Sequence, residues 1–69
     1  MNEKYLVRIK HIDKKGFEDY IELTFNDLSE AAVWCTLHSY TDVITKECEN
    51  YIIAYAVNIE TGEEFNFAC

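Results

Sequence analysis

Cys35 and His38 stand three residues apart in the stretch Asp27–Tyr40, DLSEAAVWCTLHSY, a spacing that puts both on one side of a helix. With Cys48 and Cys69 they make four residues of zinc-ligating type. No C-x-x-C pair exists, and the interval from Cys48 to Cys69 holds a whole predicted hairpin, so no metal and no other cofactor is expected. The second chemical option is a cysteine nucleophile with a histidine base, Cys35 with His38 or His11. Cys35 reads better as a small core filler, and His11 reads as a surface residue facing Asp19 across two strands. No serine sits in a nucleophile elbow and no glycine-rich loop could cradle a phosphate. The two glycines are both needed in turns, which leaves little loop for a pocket. No catalytic residue is assigned, and an enzyme is not expected.

Acidic and aromatic residues remain as candidates for binding. The net charge is −7 and is unevenly spread. Residues 1–15 hold five of the six bases, whereas residues 16–69 hold Lys46 alone against eleven acids. Tyr20, Tyr51 and Tyr55 on strands suggest a platform for stacked bases, but such platforms need a basic surround. Here only Lys10, Lys14 and Lys15 cluster, at one hairpin tip. Direct nucleic-acid binding is therefore not expected, nor is attraction to an anionic membrane. The acids either form a solvated surface that keeps a small protein soluble or meet a basic protein surface in place of phosphates. Glu18, Tyr20 and Glu22 on one strand and Glu60, Glu63 and Glu64 at a second hairpin are the partner-binding candidates, with Tyr40 and Tyr55 as further aromatic anchors.

These residues must be positioned by strands and one helix. Residues 4–12 and 17–25 alternate apolar and polar, which is the period of a strand. A three-residue loop, Lys14-Lys15-Gly16, joins them, with Gly16 in the left-handed position. That register sets Ile9 opposite Ile21, Val7 opposite Leu23, Tyr5 opposite Phe25 and Arg8 opposite Glu22. Residues 51–59 read as a strand apolar on both faces, with Tyr51, Ile53, Tyr55 and Val57 on one of them. Residues 63–68 read as a fourth strand after the loop Glu60-Thr61-Gly62. The matching register puts Ile59 opposite Glu63, Val57 opposite Phe65 and Tyr55 opposite Phe67. Residues 41–49 are a polar connector with room for a short edge strand.

Asp27 is a suitable N-cap for the helix, and Glu30 stands where a capping box wants an acid. Leu28, Ala31, Ala32 and Cys35 form a stripe of mostly small side chains that lets the helix lie close on a sheet. Val33, Leu37 and Tyr40 fall nearly opposite, with Trp34 between. Either the loop after Tyr40 covers them, or Val33, Trp34, Leu37 and Tyr40 form the interface of a homodimer.

The expected fold is α+β: one domain over residues 1–69, two β-hairpins flanking one helix (ββαββ), and a four-stranded antiparallel or mixed sheet with the helix on one face. An odd cysteine count favours free thiols. The chain opens on no signal peptide and has no membrane-spanning run, so a cytoplasmic location is expected.

In size, acidity, want of a catalytic constellation and ββαββ plan, the chain resembles small acidic inhibitors of phages and mobile elements, such as anti-CRISPR proteins and other nucleic-acid mimics. The resemblance implies a non-catalytic inhibitor that blocks a basic, nucleic-acid-handling protein, in the host cytoplasm if phage-encoded. The competing expectation is a small structural domain that dimerises through the apolar helix face.

Overall fold

The structure is a computed structural model and describes residues 4–67. Its elements are β1 (Tyr5–Ile12), β2 (Glu18–Phe25), α1 (Leu28–His38), β3 (Tyr40–Thr41), β4 (Cys48–Asn58) and β5 (Glu64–Asn66). The fold is α+β, and each strand pairing described is antiparallel. The sheet runs β2-β1-β4, and both β3 and β5 pair with the remaining edge of β4, at opposite ends of it. The expected four-strand plan therefore gains a short fifth strand, β3, at the start of the connector. Cys69 and Ala68, the last residue of the expected fourth strand, lie outside the described residues. Among the described residues no helix is long and apolar enough to cross a membrane.

The first hairpin has the expected register throughout, from Tyr5 with Phe25 to Ile12 with Glu18. Its turn closes when the Gly16 N–H donates to the Asp13 carbonyl at 2.9 Å, with Gly16 at φ +89°. The Asp13 carboxylate accepts the N–H groups of Lys15 and Phe17. These bonds to the ionised form hold its pKa below the usual carboxylate range, the Phe17 bond most of all.

Asp27 caps α1 by accepting the N–H groups of Ser29 and Glu30. Glu30 reaches back past the cap and accepts the Asn26 N–H at 3.2 Å. At the other end the Ser39 hydroxyl donates to the Cys35 carbonyl and accepts the Tyr51 N–H, which ties the helix terminus to β4. The stripe that meets the sheet differs from the expected one. Ala31 and Cys35 are buried and Leu28 is half-buried, but Ala32 is exposed, and Trp34 turns inward instead. Trp34 gains an edge-on contact with Tyr51 at 5.3 Å, which the opposite rotation would forfeit.

The core is thin. Val7, Ile9, Ala31, Cys35 and Ala56 are buried, with half-buried side chains such as Tyr5, Ile21, Leu23, Ile53 and Phe65 packed around them. The seat of Ala56 depends on a bulge. Arg8 pairs with Tyr55 while the next residue, Ile9, pairs with Ile53, so Ala54 has no partner on β1. The bulge reverses the alternation of β4. Tyr51, Ile53 and Ala56 face the helix, and Tyr55 and Val57 turn to the other side. This corrects the expectation that Tyr51, Ile53, Tyr55 and Val57 share one face. A strand apolar on both faces has no preferred side, so packing chooses, and only the small Ala56 lets α1 approach.

The second hairpin is also one residue out of the expected register. Phe65 pairs with Ala56, Glu64 with Val57 and Asn66 with Tyr55. The loop is the four residues Ile59-Glu60-Thr61-Gly62. Its geometry comes from Asn58, whose side chain accepts the N–H groups of Glu60 and Thr61 and whose carbonyl accepts that of Gly62. The β3–β4 turn is built the same way. Asp42 accepts the N–H groups of Ile44 and Thr45, and its carbonyl accepts that of Lys46. DVITKE and NIETGE thus form one recurring turn, with Lys46 at φ +65° where the second copy has Gly62 at φ +78°.

Three outcomes in urea unfolding follow. Ile9→Ala is expected to lower stability by about 2–5 kcal/mol, while Leu37→Ala shifts it by no more than about 0.5 kcal/mol. Lys46→Gly is expected to raise it by up to about 1 kcal/mol, because a lysine in the left-handed region is strained and glycine is not.

Candidate functional site

The helix covers one face of the sheet and leaves the other open. Directly paired residues share a face, so the registers define rows across the open side. One row is Glu22, Arg8, Tyr55 and Asn66, and the next is Thr24, Leu6, Val57 and Glu64. A third carries Tyr20, Lys10 and Ile52. Glu18, Tyr20, Glu22 and Glu64 of the sequence-predicted set therefore lie on one surface. Glu60 stands in the β4–β5 turn. Glu63 alternates to the helix side, so the second acidic group is split across the sheet edge.

The two acidic groups differ in what they touch. The Arg8 guanidinium donates to Glu22 at 2.9 Å, and the Lys10 ammonium lies 3.4 Å from Glu18. The acids of β2 are thus answered by the bases of β1. Glu60, Glu63 and Glu64 are exposed, and among the described residues none has a cation within ion-pair distance. Glu64 lies near the Tyr55 hydroxyl. Desolvation pushes the pKa of that hydroxyl up, and the charge of Glu64 and a hydrogen bond to it push further. The two acidic edges are about 14 Å apart, three strand spacings. Tyr20 on the β2 edge is 56% exposed and Ile52 on β4 50%, so the face offers apolar surface beside its acids.

Val33 (56%) and Leu37 (75%) on the helix and Tyr40 (48%) on β3 are exposed, so the following loop does not cover them. Trp34, assigned with them to a dimer interface, packs into its own chain. Val43 and Ile44, in the β3–β4 turn, are exposed as well.

Of the residues weighed for chemistry, Cys69 lies outside the described residues. Cys35 is buried, and burial raises its thiol pKa, which disfavours the thiolate. His38 stacks on Trp34 at 3.9 Å and bonds the Trp34 carbonyl through Nδ1. Cys48 begins β4. Among the described residues no three His, Cys, Asp or Glu side chains group to hold a metal.

His11 has a role that sequence reasoning only half described. It faces Asp19 as expected, with Nδ1 3.3 Å from Oδ1. Its Nε2 also lies 3.1 Å from Oε1 of Glu49, and the ring stacks on Tyr51 at 4.5 Å. Asp19 is on β2 and Glu49 on β4, so His11 joins three strands. The second contact needs the β1–β4 pairing, which no local pattern signals. A neutral imidazole carries one N–H, whereas the imidazolium donates at both nitrogens. The hydrogen bond to Glu49 is the main cause that raises its pKa, with Asp19 adding and partial burial opposing.

The sign of the pH effect follows from that direction. The unfolded histidine titrates at about 6.5, so below that pH both states are charged and the clamp contributes fully. Its contribution is lost as pH rises through the higher folded value. Proton NMR of the His11 ring is expected to give a pKa above the unfolded value, and His11→Gln to flatten the pH dependence of stability in that window. A ring that titrates at or below 6.5 would contradict the clamp.

Compared with known proteins, the chain matches no family model, no curated protein and no solved structure.

Proposed function

We propose that the chain is a non-catalytic, protein-binding inhibitor of the nucleic-acid-mimic kind. Its open sheet face lies on a basic, nucleic-acid-handling protein, and the acids of the β4–β5 edge take the place of phosphates. The observation that carries this reading is the contrast between the two acidic groups. Glu18 and Glu22 are answered within the chain, while the carboxylates of Glu60, Glu63 and Glu64 point to solvent with no cation beside them among the described residues. The half-buried Tyr55 and the exposed Ile52 on β4, with the exposed Tyr20 on the β2 edge, serve as apolar anchors beside these charges. The burial of Cys35, which pushes its thiol pKa up, and the stacking of His38 on Trp34 favour a role without catalysis.

A second reading is association of two copies through the helix. The exposure of Val33, Leu37 and Tyr40 favours it.

A salt-dependent pull-down against nucleic-acid-binding proteins separates the two. On the inhibitor reading, binding falls steeply with ionic strength and is competed by DNA or RNA. Joint reversal of Glu60, Glu63 and Glu64 to lysine is expected to weaken binding by more than tenfold. Reversal of Glu18 and Glu22 has the smaller effect, because Arg8 and Lys10 already screen them. Binding insensitive to salt and to the triple reversal, yet lost in Leu37→Glu, would point to the helix face.

A further inference from the structure

The outer edge of β2 is a bare strand edge. No strand lies beyond it among the described residues. Asp13 donates to the Phe17 carbonyl, so alternation assigns the odd-numbered residues of β2 to β1 and turns the backbone N–H and C=O groups of Tyr20 and Glu22 outward. Edge strands are commonly guarded by charges that repel another strand. Here each acid of β2 is drawn back onto β1: Glu18 to Lys10, Asp19 to His11 and Glu22 to Arg8. The guard is thereby largely neutralised. On the helix side, Ile21, Leu23 and Phe25 are only half-buried and Phe17 is 70% exposed. An apolar strip therefore runs beside unused backbone groups.

We infer that a second copy of this chain pairs along β2, antiparallel, about a two-fold axis at Ile21. Outward-facing residues must pair with outward-facing residues, so the register shifts only in steps of two. Centring on Tyr20 would set Glu18 against Glu22 of the second copy, and centring on Glu22 would set that residue against itself. Centring on Ile21 sets Tyr20 against Glu22 and Glu18 against Thr24, and no acid meets an acid. On the helix side Ile21 meets Ile21, and Phe17 meets Phe25 of the other copy, which buries the apolar strip. The sheet becomes continuous through both copies, with Glu64 at its two far edges. The inference does not depend on the proposed target. An eight-residue edge is small beside the roughly 20–30 residues a side of a standard interface, so the dimer depends on concentration.

Light scattering and sedimentation of the reduced chain from micromolar to millimolar concentration test it. The expected result is a shift from one to two chain masses. Tyr20→Pro removes an outward N–H and no bond to β1, so it is expected to raise the dimer dissociation constant by more than tenfold with an unchanged circular dichroism spectrum. A covalent readout covers the case in which proline disturbs the strand. With Cys48 and Cys69 replaced by serine, Ile21→Cys is expected to form a disulfide dimer on oxidation, because that residue meets its own copy as a close, non-bonded pair. Leu23→Cys, which faces Asp19 of the other copy, is expected to cross-link at least tenfold less. A chain that stays monomeric at millimolar concentration overturns the inference. So does a dimer that persists in Tyr20→Pro but is lost in Leu37→Glu, or equal cross-linking at positions 21 and 23.

Discussion

The close seating of α1 on β4 governs the rest of the structure. Ala31 and Cys35 of the helix and Ala56 of the strand are buried in one cluster with Val7 and Ile9. Small side chains on both elements let the helix lie low, and the half-buried aromatics close around it. A larger residue at Ala56 would lift the helix and open the core of a domain that has little core to lose. The bulge at Ala54 exists in service of this contact. Without it Tyr55 would stand under the helix, and Ala56 would be spent on the open face.

The same bulge shapes the surface. It delivers Tyr55 and Val57 to the open face beside Arg8 and Leu6, so that face has an apolar middle. The strand order then sorts the charges. The basic β1 lies between β2 and β4, where Arg8, Lys10 and His11 answer acids across the strands. β5 lies on the far side of β4, beyond the reach of those bases, and among the described residues no cation answers its acids. An acidic chain thus becomes a sheet that is charge-balanced at one edge and acidic at the other.

The turns share one economy. Asp13, Asp42 and Asn58 each use a side-chain oxygen to collect the N–H groups of the loop that follows. Two of these loops have the same length and bonding and flank the two ends of β4. Lys46 in a left-handed conformation shows that this bonding, and not glycine alone, sets the geometry. It also explains the longer second loop, since Asn58 acts as the first residue of the turn and leaves Ile59 inside it.

Local pattern by itself determined the first hairpin with its register, the helix with its Asp27 cap and the α+β class. In each of these a one-residue error would bury polar groups or expose apolar ones, so alternation and capping carry the information. It also placed Arg8 against Glu22, the first sign that the β2 acids are not free. Only the tertiary structure decided the face of β4, the register of the second hairpin, the inward turn of Trp34 and the His11–Glu49 contact. β4 is apolar on both sides, so either face satisfies its own sequence, and the choice falls to the size of what packs above it. The split between answered and unanswered acids has the same origin: which strand lies beside the basic one is a fact of three-dimensional order, and no spacing along the chain encodes it.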